Sequence, residues 1–256
     1  MLGLYFSGTG NSKLCLEIFL KNLNNDYSLC SIEDSNAKSL IEKSEEIILS
    51  YPVYYSNLPL ILKDFLLENS SLFYGKKIFI IATMGLFSGD GTGCSARILE
   101  KYGAVIIGGL HIKMPDCIID VKILKKSSEQ EDKLLKNTKL KIEKSANLYS
   151  KNCQTQQGLG VFSHIAGLLG QRLWFKKMTS TYKKYPKIDY QKCINCNNCI
   201  AYCPMKNLYI NSLNQIDNLN KCTLCYRCVH VCPKKAITIL GKNIVHKQSQ
   251  FLNKKS

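Results

Sequence analysis

Eight of the thirteen cysteines fall between Cys193 and Cys232, in two runs of identical spacing. Cys193, Cys196, Cys199 and Cys203 form the first; Cys222, Cys225, Cys228 and Cys232 form the second. Each reads C-x2-C-x2-C-x3-C and is closed by a proline, Pro204 or Pro233. Soft thiolate sets of this kind select zinc or iron–sulfur clusters. Three cysteines at short intervals let a tight loop wrap three corners of a cubane, and the fourth, on a short helical turn, points away. Zinc favours separated CxxC pairs or sets that include histidine, and gives no reason for two identical runs of four. The runs therefore point to [4Fe–4S] clusters and to one-electron chemistry.

The runs sit inside an internal repeat. KCINCNNCIAYCPMKNLYI (192–210) aligns at a constant offset with KCTLCYRCVHVCPKKAITI (221–239), matching Lys192 with Lys221, Lys206 with Lys235 and Ile210 with Ile239. Two copies of one small unit imply a pseudo-two-fold module.

A second chemical signal lies at the other end of the chain, in SGTGNSK (7–13). It is not a Walker A loop, because Lys13 follows Ser12 rather than glycine, and it lacks the third glycine of the dinucleotide fingerprint. What remains is a hydroxyl-rich loop: Ser7, Thr9, Asn11 and Ser12 around Gly8 and Gly10. Between a strand and a helix, such a loop can hold a terminal monophosphate on backbone N–H groups, hydroxyls and the helix N-terminus. A monophosphate ligand on a doubly wound sheet points to FMN.

The elements that must position this loop alternate along 1–150. Strand patterns cover 2–6, 27–32, 46–51, 77–83 and 104–111; helix patterns cover 12–23, 58–68, 94–102 and 127–150. In the last helix Leu134, Leu135, Ile142 and Leu148 lie on or near one stripe. Five strands alternating with helices predict a parallel sheet covered on both faces. Periodicity then breaks over 151–187, and a polar, basic tail occupies 243–256.

SGTGNS resembles the flavodoxin phosphate loop, [TS]-x-T-G-x-[ST], and the resemblance extends along 1–150. It implies two further loops, at the carboxyl ends of later strands, that sandwich the flavin ring. The matching residues are Pro52, Val53, Tyr54, Tyr55 and Asn57 in one, and Thr83, Met84, Gly85, Phe87 and Gly89 in the other. Tyr54 or Tyr55 would stack on the ring and Phe87 would cover its other face. Flavodoxins often carry a glycine in the first ring loop, whose peptide flips to bond the flavin N5. Residues 52–59 contain none, and Asn57 is the residue best suited to a positive φ there.

The cysteine-rich part, about 187–241, resembles bacterial-type two-[4Fe–4S] ferredoxins. That resemblance implies that the fourth cysteine of each run serves the other cluster. Cys193, Cys196, Cys199 and Cys232 would hold one cluster, and Cys222, Cys225, Cys228 and Cys203 the other. Many such ferredoxins are acidic here, whereas this chain places Lys192, Lys221, Arg227, Lys234 and Lys235 beside the runs. Positive charge there favours the reduced cluster. Taken whole, the chain resembles the family called EFR1 ferredoxins, which implies electron transfer and names no substrate. The expected fold is α/β, a flavodoxin-like doubly wound five-stranded parallel sheet, plus a small α+β ferredoxin-like domain. The expected organisation is an FMN-binding domain (1–150), a connecting segment (151–187), a two-cluster domain (188–242) and the tail.

Composition is consistent with this. At 256 residues and 45% hydrophobic the chain can bury a sizeable core. No apolar run reaches the length of a membrane span, and no basic segment precedes an apolar one at the N-terminus, so a cytoplasmic location is expected. Thirteen cysteines in that compartment argue for metal rather than disulfides. A net charge of +16 reads as a solvated lysine-rich surface or as attraction for acidic redox partner proteins. No nucleic-acid motif accompanies it. The apolar patch within 158–187 reads as a segment docking one domain on the other, with membrane-surface contact the weaker reading.

The remaining candidates are few. Cys94 opens a predicted helix, where a thiol can be activated; a small buried residue is the favoured reading. Cys15, Cys30, Cys117 and Cys153 read as packing residues. His111, His164, His230 and His246 form no spaced set, and Asp116 and Asp120 no catalytic pair. The leading reading is an electron carrier that passes electrons between two clusters, FMN and partner proteins. The alternative is an oxidoreductase in which FMN reduces a small acceptor, such as a quinone, fed by its own ferredoxin part. A cluster-holding sensor or assembly module is the third.

Overall fold

The protein is described from a computed structural model that covers residues 1–23, 26–86, 89–167 and 184–246. Strands β1 (Leu2–Tyr5), β2 (Ser28–Ser31), β3 (Glu46–Pro52), β4 (Lys77–Met84) and β5 (Val105–Lys113) form one sheet in the order β2-β1-β3-β4-β5, all neighbours parallel. This is the flavodoxin-like strand order, and its reversal point lies between β1 and β3. Alternate residues of the central strands enter two separate cores. Leu49, Tyr51, Ile78 and Ile80 face one side, and Ile48, Phe79 and Ile81 face the other. A sheet buried on both faces needs unbroken apolar strands, and EIILSY and KIFIIAT supply them.

Helices α1 (Asn11–Lys21) and α5 (Ser128–Ser150) cover one face; α2 (Ala37–Glu42), α3 (Leu60–Glu68) and α4 (Gly93–Lys101) cover the other. The apolar stripe expected on α5 differs from the one observed. Its buried residues are Glu131, Thr138, Ile142, Ser145, Ala146 and Tyr149, while Leu134, Leu135 and Leu148 are half-buried. Small side chains at 145 and 146 let α5 lie close to α1, and Tyr149 packs edge-on against Phe19 and Phe79. α5 opens with a reciprocal cap between Ser127 and Gln130.

After α5 the chain does not leave the sheet at once. Gly109 N–H donates to Thr155 O (2.7 Å) and Gln157 N–H to Gly109 O (2.9 Å), so 155–157 runs along the free edge of β5. Helix α6 (Val161–Gly167) follows, and its His164 bonds the buried Asp90 at 3.1 Å. Residues 168–183, which carry most of the predicted apolar and basic connector, lie outside the described residues, as do 247–256 of the tail. No helix of the described residues is long and apolar enough to cross a membrane.

The C-terminal module is small. Strands β6 (Lys187–Ile188) and β9 (Ile237–Thr238) pair antiparallel, as do β7 (Leu208–Ile210) and β8 (Ile216–Asn218). Two one-turn helices, α7 (Asn198–Ala201) and α8 (Arg227–Val231), complete it. Its core contains Leu208, Ile216, Leu224, Val229, Ile237 and Ile239, and it takes in Ile119 of the larger domain, with Tyr55, Cys117 and Ile118 packed against it.

Candidate functional site

The cysteine loops explain themselves at the backbone. In the first repeat Asn195 and Asn197 adopt left-handed φ values of 50° and 60°; in the second Leu224 and Tyr226, at equivalent positions, adopt 61° and 59°. Lys206 and Lys235 are a third matched pair, at 47° and 51°. Alternating left-handed residues turn successive N–H groups toward one centre, the backbone concavity found around anionic clusters. The same N–H···S bonds recur. Asn207 N–H donates to Cys203 Sγ (3.3 Å) and Ala236 N–H to Cys232 Sγ (3.2 Å).

Each centre is a cavity lined by four cysteines. One is bordered by Cys193, Cys196, Cys199 and Cys232; the other by Cys203, Cys222, Cys225 and Cys228. Three sulfurs thus come from one run and the fourth from the other. No three His, Cys, Asp or Glu side chains among the described residues converge on a single-ion point. Burial pushes the thiols of Cys199 and Cys225 up to about 11 and that of Cys222 up to about 12. A bound metal centre inverts this preference and holds the sulfurs deprotonated.

The two centres differ in surroundings. Cys196 is exposed, and Asn195 and Asn197 beside it face solvent. Cys225 and Cys228 are buried, and so are Leu224 and Tyr226. Those last two residues face the larger domain.

They meet it at the carboxyl edge of the sheet. A cavity there is lined by the loop after β1 and the first turn of α1 (Ser7, Gly8, Thr9, Asn11, Ser12), the end of β3 and its loop (Pro52, Val53, Tyr54, Tyr55, Ser56), the end of β4 and its loop (Thr83, Met84, Gly85, Leu86) and the loop after β5 (Met114, Pro115, Asp116, Cys117, Ile118). Leu224 and Tyr226 of the second cysteine loop complete its wall. Contact is close enough to require glycine at position 8. A Cβ there would lie 2.5 Å from Cys225 O and 2.6 Å from the Tyr54 hydroxyl.

The structure places the sequence-predicted residues unevenly. Gly10 does not line the cavity but takes φ 96° ahead of α1, and no side chain caps that helix. The first N–H groups of α1 are thereby left to an anion. Ser7 Oγ accepts from Gly10 N–H (3.1 Å), and the Ser12 hydroxyl is bonded to Thr83 Oγ1 (2.7 Å). Thr9 lines the cavity directly, and the Asn11 amide donates to Pro115 O at 2.9 Å, both residues lining the cavity. Asn57 does not line the cavity and does not hold the positive φ expected of it. Tyr55 and Ser56 do, at 52° and 56°. Tyr54 and Asn57 exchange two backbone bonds of 3.0 Å, and the two-residue turn between these bridged partners is of the type with both central residues left-handed. Gly89, at φ 62°, lies away from the cavity. Phe87 is outside the described residues.

Cys94 is buried. Burial pushes its thiol up to about 11 despite the nearby Arg97 guanidinium. The helix start at Gly93 does not activate it.

Sequence reasoning missed two features that fix the site. The first is Asp120. Its Oδ1 accepts from the Tyr226 hydroxyl (2.8 Å), and its Oδ2 accepts from the N–H groups of Ile239 (2.7 Å) and Leu240 (3.0 Å). One buried carboxylate of the β5 loop thus grips the small module at three points. The second is the role of Arg227. It makes a two-pronged pair with Glu33 (2.8 Å each) and donates to Ser7 O (2.9 Å) and Gly8 O (3.3 Å). Its charge, expected to bias the adjacent cluster, is therefore balanced by Glu33. His230 against Cys117 O (2.9 Å) and Leu60 N–H on Thr223 Oγ1 (2.9 Å) add two further ties.

Comparison with known proteins gives two results. Residues 185–233 match the family described as a 4Fe-4S dicluster domain. Among solved structures, the chain is similar to a two-electron reduced flavodoxin from Megasphaera elsdenii, at 25% identity over 45% of this chain and 89% of the other, TM-score 0.41. It is also similar to a flavodoxin from the domain Archaea, at 18% identity over 59% and 97%, TM-score 0.42. A third is the rubredoxin oxygen:oxidoreductase of Desulfovibrio gigas, at 14% identity over 57% and 35%, TM-score 0.38. No curated protein is significantly similar in sequence.

Proposed function

We propose that this chain is an electron-transfer protein of the EFR1 ferredoxin kind, carrying FMN at the carboxyl edge of its sheet and two [4Fe–4S] clusters in its C-terminal module. The observation that carries the reading is the shared wall. The loop that contains Cys222, Cys225 and Cys228 also supplies Leu224 and Tyr226 to the cavity bordered by the phosphate-type loop.

When bound, FMN supplies a centre that exchanges one or two electrons, and each cluster a centre that exchanges one. The chain's own contribution is placement. The uncapped N-terminus of α1 and the Thr9 hydroxyl receive the phosphate; Tyr54 and Tyr55 border the ring site. Asp120 and Arg227 hold the cysteine loop against them. Cys203, Cys222, Cys225 and Cys228 form the centre beside the flavin site. Cys193, Cys196, Cys199 and Cys232 form the outer centre, which meets redox partner proteins.

Anaerobic purification followed by iron, sulfide and flavin analysis tests the reading. About eight irons and one FMN per chain are expected. Eight irons with no flavin after FMN addition would overturn the flavin half, and zinc in place of iron would overturn the other.

A further inference from the structure

One surface of the small module concentrates charge of a single sign. Lys187, Lys192, Lys235 and Lys242 line a single surface hollow between β6 and β9. All four are exposed. The one acid that lines it, Asp189, is held by Lys192 Nζ at 2.6 Å. This hollow abuts the outer four-cysteine cavity. The two share Ala236; Lys192 directly precedes Cys193, and Lys234, which lines the cysteine cavity, adjoins Lys235. Ile194 also lines that cavity and is 56% exposed, an apolar contact point beside the thiols.

We propose that this lysine face, together with the adjoining Ile194, is the docking surface for an acidic one-electron carrier protein. The inference rests on the electron-transfer reading above and names the partner's chemistry. Positive charge beside a small apolar contact steers an acidic surface into one orientation and speeds its capture. It does so beside the outer four-cysteine cavity. Each encounter moves one electron between the carrier's centre and the outer cluster, one being oxidised as the other is reduced.

The test uses the loaded holoprotein and a reduced acidic [4Fe–4S] ferredoxin as probe, with transfer followed by stopped flow. The expected second-order rate falls about tenfold as salt rises from about 20 to about 500 mM. Changing Lys192, Lys235 and Lys242 together to Glu is expected to lower the low-salt rate at least about tenfold and to flatten its salt dependence. A control variant, Lys38→Glu, Lys133→Glu and Lys136→Glu, carries the same change in net charge on exposed residues of the larger domain and is expected to stay near wild type. Equal losses in both variants, or none in the first, overturn the proposal. Cluster EPR signals after chemical reduction separate the two levels: wild-type protein without them overturns the electron-transfer reading itself.

Discussion

Asp120 is the residue on which the joint between the two parts turns. Its carboxylate accepts three hydrogen bonds from the small module, all within 3.0 Å, and the residue is 4% exposed. A hydrogen bond to a charged group contributes about 1.5–3 kcal/mol. Taken at the low end, three such bonds stabilise the docked arrangement by about 4.5 kcal/mol. Asp120→Ala should then shift the balance between docked and loosened states by about 10³. Arg227, Thr223 and His230 still tie the module, so part of that shift appears in binding. When Leu224 and Tyr226 leave the cavity wall, the apparent Kd for FMN rises in inverse proportion to the fraction that stays docked. The expected rise is at least about tenfold, with further loss on adding Arg227→Ala. Asp120→Asn keeps one acceptor oxygen and should lose less. Quenching of FMN fluorescence reads the affinity, and iron analysis confirms that the clusters remain. A variant with full iron and wild-type FMN affinity would refute the claim that this carboxylate holds the flavin wall in place.

Three further outcomes follow from the same geometry. Cys196→Ser and Cys225→Ser should each lower the iron content by about half, from about eight toward about four, but only Cys225→Ser should also weaken FMN, since its loop alone lines the cavity; equal effects on FMN would contradict the inner and outer assignment. Alkylation followed by mass spectrometry at pH 8 should modify the exposed Cys153 and spare Cys94, whose buried thiol titrates near about 11; rapid labelling of Cys94 would reverse that reading. His111 is lowered to about 4 by burial and by Lys141, and its Nε2 accepts from Thr92 N–H at 3.3 Å. Its unfolded form binds a proton near pH 6.5, so stability should fall as pH drops from about 6.5 toward about 4, by about 2 kcal/mol; denaturant midpoints of wild type and His111→Gln across that window check the sign.

Much of the larger domain was legible because its strands are apolar without interruption and its helices are long. β3, β4 and α5 fall where their patterns place them, to within a residue or two. α2 escaped because six residues with only Ala37 and Ile41 buried are too few to show a period. The phosphate-type loop was readable from residue types. The ring loop was not: preference puts a left-handed residue at Asn57, whereas the Tyr54–Asn57 bridge puts it at Tyr55 and Ser56. The β5 loop, with Asp116 and Asp120, gave no pattern, because its partners lie more than a hundred residues away. Strand order would have found it, since β5 beside β4 must bring its carboxyl end to the same edge. The repeat itself held one unused signal. Where its copies differ, Asn195 against Leu224 and Asn197 against Tyr226, the polar copy faces water and the apolar copy faces the other domain. Leu and Tyr in the left-handed region cost about 1 kcal/mol each, a strain that the docked wall retains.

The central claim is that one cysteine loop brings its cluster against the flavin site within the same chain. Laser-flash reduction of the flavin in the holoprotein, with the clusters watched by transient absorbance, tests it most directly. The account predicts first-order transfer to a cluster at a rate independent of protein concentration, slowed in Asp120→Ala. A rate proportional to protein concentration, or no transfer between flavin and cluster at all, would contradict it.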